Sequence, residues 1–217
     1  MLTIYGVARS RASRVIWLCH EIGLPFRHVP VIQAYRLADP LAADAPLNTR
    51  SPEFLAISPQ GAIPVVDDDG LILSESFACT LHLAHRYGGD LGGRDTLEQA
   101  LIQQWTLYAA TGIESDALTI QMLGRPDAAE ADRLLVAEAV ARLERPLRVL
   151  DAHLAQHGHL VGGRFTVADL NMAEVVRYAQ AKPEVIGAYP AIRDWLAACQ
   201  ARPAFKTMWE ARLAEPA

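Results

Sequence analysis

Lysine is almost missing from this sequence: of its 20 basic residues all but Lys182 and Lys206 are arginine, against 25 acidic ones. The net charge of −5 excludes a general nucleic-acid binder, which needs a concentrated basic face. The arginine bias, together with abundant alanine, fits a GC-rich genome better than recognition chemistry. Long hydrophobic runs are lacking too. No apolar stretch approaches ~20 residues, so no membrane span is expected, and the N-terminus lacks the charged start and apolar core of a signal peptide. Cysteine is scarce and odd in number. Cys19, Cys79 and Cys199 lie far apart, each in a helix-like apolar pattern, which reads as reduced, packed thiols and a cytoplasmic location. Two catalytic signatures are missing as well, the G-x-S-x-G elbow and the H-E-x-x-H metal helix.

What is there suffices for a folded core. The chain has 217 residues, 51% apolar and 21% charged, enough for one large domain or two modest ones. Its pattern changes at the glycine-rich "GGDLGGRD". Before it, strand-like and helix-like pieces alternate: "LTIYG" as a buried strand, then Val15, Ile16, Leu18, Cys19 and Ile22 at helical spacing, stopped by Gly23 and Pro25. "FRHVPVI" reads as a second strand, followed by a long loop from Gln33 to about Arg50 and a short helix in "SPEFLAISP". "IPVVDDDGLIL" is a hairpin turned at Asp69-Gly70, and "SESFACTLHLAHRYG" an amphipathic helix. After the linker the signal is helical: 96 to about 123, 126 to about 156 with a kink expected at Pro146, a helix from near Thr166, and another after Pro190. "TVAD" fits a capping box between Thr166 and Asp169. The expected domains are an α/β unit over 1–88, a linker over 89–94 and an all-helical unit over 95–217.

Three short stretches carry chemistry. In "SPQGAIPVV", an apolar residue before Pro64 enters a strand. A cis Ile63-Pro64 bond would turn the Ile63 backbone outward, where it could bind an extended peptide as an added strand. Cis bonds occur at only about 5–6% of X-Pro pairs, so local sequence alone favours trans. In "LSESFA", Glu75 and Ser76 stand where a strand ends and a helix begins. Amides and the helix dipole suit a carboxylate there, and a glutamate suits an ammonium, so together they form a socket for an amino-acid head group. The commoner reading of such residues is a plain helix cap. In "IYGVARSRASRVIW", the helix is expected to begin between residues 10 and 13, and an anion held at that start meets amides and the dipole. One charge-assisted hydrogen bond of about 1.5–3 kcal/mol lowers a thiol pKa by about one to two units, bringing it from ~8.5 to near 7. A serine nucleophile would need a base, and no histidine is near in sequence. A hydrogen-bond donor needs none. The histidines of "HLAQHGH" (His153, His157, His159) read as a solvated helix end rather than a metal site, and His82 and His85 as surface or packing residues.

The three stretches occur together and in one order, and over essentially its full length the chain resembles cytosolic-type, bacterial glutathione S-transferases. "SPQGAIPVV" resembles the family's cis-proline segment, "LSESFACTLHLAHRYG" its glutamate-serine motif and following helix, and "FTVADLNMA" the capping box and buried aspartate of its helical domain. The resemblance implies an α/β thioredoxin-like N-terminal domain and an all-α C-terminal domain. It implies a homodimeric enzyme that activates the thiol of glutathione, its co-substrate, as thiolate for attack on a small hydrophobic electrophile, without metal, nucleic acid or membrane. The alternatives are a glutathione-dependent disulfide reductase, peroxidase or isomerase, and a non-catalytic binding module. The Ile63 backbone would pair with the cysteinyl part of glutathione, and Glu75 and Ser76 would hold its γ-glutamyl group. Pro64, Thr166 and Asp169 would be structural. Trp105, Tyr108 and Thr111 would face the electrophile, ordinary core being the alternative for the aromatics. Two departures matter. Ala62 stands where many relatives have lysine, leaving the glycyl carboxylate to Gln60 or to a loop arginine such as Arg36. The opening turn reads Tyr5-Gly-Val-Ala-Arg-Ser-Arg, with serine where tyrosine-type members have glycine. Ser10 is therefore the first candidate to meet the sulfur, Tyr5 the competitor and Ser13 the third.

Overall fold

Short strands with apolar residues make the sheet, and their pairing fixes its order. In the computed structural model, which describes residues 1–215, β1 (Leu2–Tyr5) lies between β2 (Phe26–Val29) and β3 (Val65–Asp68). It runs parallel to β2 and antiparallel to β3, with Tyr5 opposite both Val29 and Val65. β4 (Leu71–Leu73) closes the edge, so the order is β2-β1-β3-β4. The β3–β4 turn has positive φ at Asp69 (53°) and Gly70 (93°), the two-residue geometry whose twist matches the strands. The second strand is shorter than its apolar pattern predicts: Pro30 offers no N–H to the ladder, and only an isolated bridge, Ile32 to Asn48, follows it.

α1 (Ala12–Ile22) and α3 (Ser76–Tyr87) pack against each other in this unit, and α2 (Pro52–Leu55) is a single turn. A buried cluster of Val31, Phe54 and Val65 collects Tyr5 and Ile63 at its margin. Asp68, 2% exposed, ends β3 and accepts from His82 Nε2 (2.7 Å), Arg86 (2.8 Å) and the Tyr87 hydroxyl (2.7 Å), all on α3. Burial pushes its carboxyl up, but the bonds from His82 and Tyr87 and the Arg86 charge outweigh it and hold it below the usual range.

By its contacts the chain divides into two units, Gly89–Ala201 and a first unit that joins Met1–Gly88 with the segment from Arg202 onward. The sequence pattern assigns that last segment to the helical domain. α10 (Pro203–Ala214) instead packs on α1, with Trp17 edge-on to Phe205 at 5.0 Å and Arg202 bonded to Glu21. Apolar residues at helical spacing show that α10 buries a face but not which partner covers it.

The second unit is helical: α4 (Thr96–Gly112), α5 (Glu114–Leu123), α6 (Glu130–His157), α7 (Val167–Val176), α8 (Pro183–Gly187) and α9 (Pro190–Ala201). What reads as one helix over 96–123 is broken at Ile113, which follows Gly112 and leaves helical geometry at φ −130°. α6 runs through Pro146 as one helix. The capping box at the start of α7 is present: Asp169 accepts from the Thr166 N–H at 2.9 Å. Fully buried, it also accepts from Leu160 N–H (3.1 Å) and the Trp195 indole (3.0 Å), tying the 157–166 loop and α9 to α7. No helix among the described residues is long and apolar enough to cross a membrane.

Candidate active site

The opening turn is built by one glycine. Gly6 has φ 143°, and a Cβ there would lie 3.1 Å from Ala12 Cβ, 3.4 Å from the Ile63 side chain and 3.6 Å from Pro64 Cα. The positive φ and the crowding by Ala12 call for glycine, and the Ile63-Pro64 corner, whose peptide bond is cis, lies within ordinary van der Waals range of that position. β3 starts only at Val65, so the Ile63 peptide lies beyond the strand. Ile63 is half-buried and Pro64 buried.

Ser10 follows at the helix start, half-buried. Its Oγ accepts from the Ala12 N–H at 3.0 Å and donates to the Val7 carbonyl at 2.7 Å. The other two hydroxyls are placed differently. Tyr5 lays its ring against the Val31–Phe54–Val65 cluster, and Ser13 is fully buried within α1. The amides beyond β1 are also less open than a bare helix start would leave them, because those of Ala8 and Arg9 are taken by the Glu215 carboxylate.

Four residues after Ser10, α1 reaches the next piece. Arg14, 1% exposed, donates from its guanidinium to the Ser76 hydroxyl at 2.9 Å and lies 4.2 Å over the Phe77 ring. The arginine joins the start of α3 to α1. Ser76 is the first residue of α3, 5% exposed. Glu75 precedes it, exposed, with φ 66° and ψ 109°. A non-glycine residue held there costs about 1–3 kcal/mol, a strain that proteins keep where a side chain must be aimed.

A cleft of about 750 Å³ lies at the 33–61 loops, lined by Tyr35, Thr49, Arg50, Leu55, Gln60 and Gly61 among others. Asn48 builds it. Fully buried, its amide donates to the Pro40 (2.9 Å) and Pro46 (2.8 Å) carbonyls and its oxygen accepts from the Arg50 N–H (2.9 Å). Gly61, at φ 61°, passes so close that a Cβ there would sit 2.7 Å from the Thr49 carbonyl. Gln60 faces this cleft and Arg36 does not: the Arg36 guanidinium is 3.4 Å from the Arg9 carbonyl. Arg50, which the sequence reading names only as the end of the long loop, lines this cleft.

The three residues expected to face an electrophile do not share an open face within the helical unit. Trp105, 7% exposed, packs on His153 at 4.6 Å, and the Tyr108 hydroxyl donates to the Pro146 carbonyl of α6 at 3.3 Å. Both aromatics thus contact α6, Trp105 buried and Tyr108 half-buried. Thr111 is exposed and bonds back to Leu107 of its own helix. His153 also meets the Leu160 carbonyl at 3.0 Å, a packing role. No metal-binding group of His, Cys, Asp and Glu occurs among the described residues. All three cysteines are buried, and burial pushes the Cys19 and Cys79 thiols up to about 12, so neither is a nucleophile at neutral pH.

Known proteins resemble this chain along its length. Residues 9–86 match the model of the glutathione S-transferase N-terminal domain and 101–203 that of the C-terminal domain. Glutathione S-transferase 3 of Zea mays is 32% identical over 216 residues, covering 94% of this chain and 91% of that protein. Glutathione transferase F7 of Populus trichocarpa superposes with a TM-score of 0.80 at 27% identity, covering 98% of this chain and 99% of the other. A glutathione S-transferase-I bound with lactoylglutathione superposes with a TM-score of 0.80 at 25% identity, covering 97% and 99%. The Zea mays and Populus proteins are plant transferases, whereas the resemblance in the sequence pointed to bacterial ones.

Proposed function

This chain belongs to the glutathione S-transferase family, and we propose that it activates glutathione through Ser10. Its activity is that of a glutathione transferase: the glutathione sulfur attacks an electrophilic carbon, a bond from that carbon to a leaving group breaks or its π-bond opens, and a thioether forms. The thiol proton leaves to solvent before attack. Ser10 stabilises the sulfur anion by exchanging the Val7 carbonyl for it as acceptor. The Ala12 N–H bond is kept through that exchange, holding the oxygen in place and making its hydrogen a better donor. A thiolate is a stronger acceptor than a neutral carbonyl, so the exchange is favourable only when the sulfur is ionised, and that is what lowers the thiol pKa.

The rest of the tripeptide follows from the same unit. The Ile63 backbone beyond β3 pairs with the cysteinyl peptide as an added strand. Ser76 accepts from Arg14, which leaves its hydroxyl hydrogen for the γ-glutamyl carboxylate, and Glu75 takes the ammonium. Arg50 and Gln60, facing one cleft, replace the lysine absent at Ala62 as partners of the glycyl carboxylate. The electrophile is a small hydrophobic molecule. Exposed Leu97, Leu101 and Leu107 on α4 fit self-association as a homodimer, and the buried, reduced cysteines fit a cytoplasmic protein.

The observation that supports this reading is the Ser10 hydroxyl at the start of α1, bonded to Val7 and Ala12, with the cis Ile63-Pro64 corner within ordinary van der Waals range of the Gly6 position in the same turn. The test is retention on immobilised glutathione combined with turnover of a haloarene, followed by thioether formation. Retention with turnover is expected. A chain that neither binds the resin nor consumes the haloarene sinks the proposal.

A further inference from the structure

The turn that carries Ser10 is held from the far end of the chain. Glu215, just past α10, accepts from the Ala8 N–H on Oε1 at 2.6 Å and from the Arg9 N–H on Oε2 at 2.8 Å. Arg212, one turn earlier, donates to the Ala8 carbonyl at 2.6 Å, while Arg9 Nε donates to the Arg212 carbonyl at 3.0 Å. Four hydrogen bonds therefore hold Ala8 and Arg9, three on their backbone and one from the Arg9 side chain, all spanning more than 200 residues of sequence. Two successive amides aimed at one carboxylate form an anion receptor, and here the chain's own C-terminal segment fills it. Ser10 is the next residue, and both partners of its hydroxyl, the Val7 carbonyl and the Ala12 N–H, flank the clamped pair.

We propose that Glu215 is a positioning residue for Ser10: by seating its carboxylate on the Ala8 and Arg9 amides it fixes the backbone that aims the Ser10 hydroxyl. The inference rests on the Ser10 reading above and adds a residue that no motif in the N-terminal domain contains. It separates cleanly from two other roles for Glu215. A contact that only stabilises the fold would leave the ionisation of bound glutathione unchanged. A negative charge that merely opposes the thiolate would, on removal, lower the thiol pKa. Loss of positioning raises it, because fewer molecules hold the hydroxyl where the sulfur anion can use it.

The experiment uses the full chain with Glu215→Ala and Glu215→Gln. Amide hydrogen exchange over residues 7–12 is read without ligand. Ultraviolet titration of bound glutathione gives the thiol pKa, and steady-state kinetics give KM and kcat. For Glu215→Ala we expect exchange at Ala8 and Arg9 to rise about tenfold. The bound-thiol pKa should rise by about half a unit to one unit, with kcat at neutral pH falling about three- to tenfold. KM for glutathione should stay within about twofold, because Glu75, Ser76 and Arg50 are untouched. Glu215→Gln keeps one acceptor and should fall between the two; it also carries the test if the alanine variant does not fold. Unchanged exchange, or an unchanged or lowered thiol pKa, overturns the inference. A wild-type chain with no thiolate signal overturns the Ser10 reading instead, and the positioning role with it.

Discussion

Replacing Asp68 with asparagine removes the charge from a buried knot that joins the last residue of β3 to α3, the helix that begins with Ser76. The wild-type carboxylate takes three donors, from His82, Arg86 and Tyr87. Breaking a fully buried ion pair costs about 3–5 kcal/mol. Here the cost is lower, because the Arg86 side chain is 45% exposed and that of His82 26%, and because asparagine still offers one oxygen to Tyr87. About 2–3 kcal/mol remains, or roughly 4–12 °C in melting temperature for a chain of this size. The pH dependence has a definite sign. The folded carboxyl is held below its ordinary value, so its contribution is fully present above the unfolded pKa of about 3.9 and is lost as pH falls through the lower folded value. Thermal melts from pH 7 down to pH 3 on both proteins check this. The gap between them should close as the pH falls below about 4. A variant that melts with the wild type at pH 7, or a gap that persists unchanged at pH 3, would refute the assignment.

Other expectations concern the glutathione site. Arg50→Ala should raise KM for glutathione about tenfold with kcat nearly unchanged, since a glycyl carboxylate partner acts equally on ground and transition states; Arg36→Ala, measured alongside, should leave KM within about twofold. Gly61→Ala should lower stability by about 1–3 kcal/mol in a denaturant titration, because its φ of 61° and the Thr49 carbonyl 2.7 Å from the new Cβ both oppose a side chain. Native protein should react negligibly with an aromatic disulfide reagent over minutes, with three thiols appearing in denaturant, because every cysteine is buried. Labelling of the native chain at the rate of a free thiol would contradict that packing.

Local chemistry was legible in the sequence wherever the signal and its partner lie close together. Thr166 and Asp169 form their box within three residues. Asp69-Gly70 specifies its own turn, and Glu75-Ser76 announces a strand end and a helix start. The family resemblance supplied the cis geometry at Pro64, which local sequence alone disfavours. What stayed hidden depends on distant partners. Ser10 reads as a helix-start serine, but nothing nearby says that Glu215 holds the backbone before it. Trp105 and Tyr108 sit three apart on one helix face, and that spacing does not announce their contacts with His153 and Pro146 of α6. Arg50 lies in a long loop whose path is set by Asn48 bonding back to Pro40 and Pro46, contacts that leave no periodic trace.

The central claim is that the Ser10 hydroxyl stabilises the glutathione thiolate. Ultraviolet titration of bound glutathione in the wild type, Ser10→Ala and Tyr5→Phe measures it directly. The account predicts a bound-thiol pKa near 7 in the wild type, a rise of about one to two units in Ser10→Ala, and no change in Tyr5→Phe. An unchanged pKa in Ser10→Ala with a rise in Tyr5→Phe would contradict it and move the role to the phenol at the end of β1.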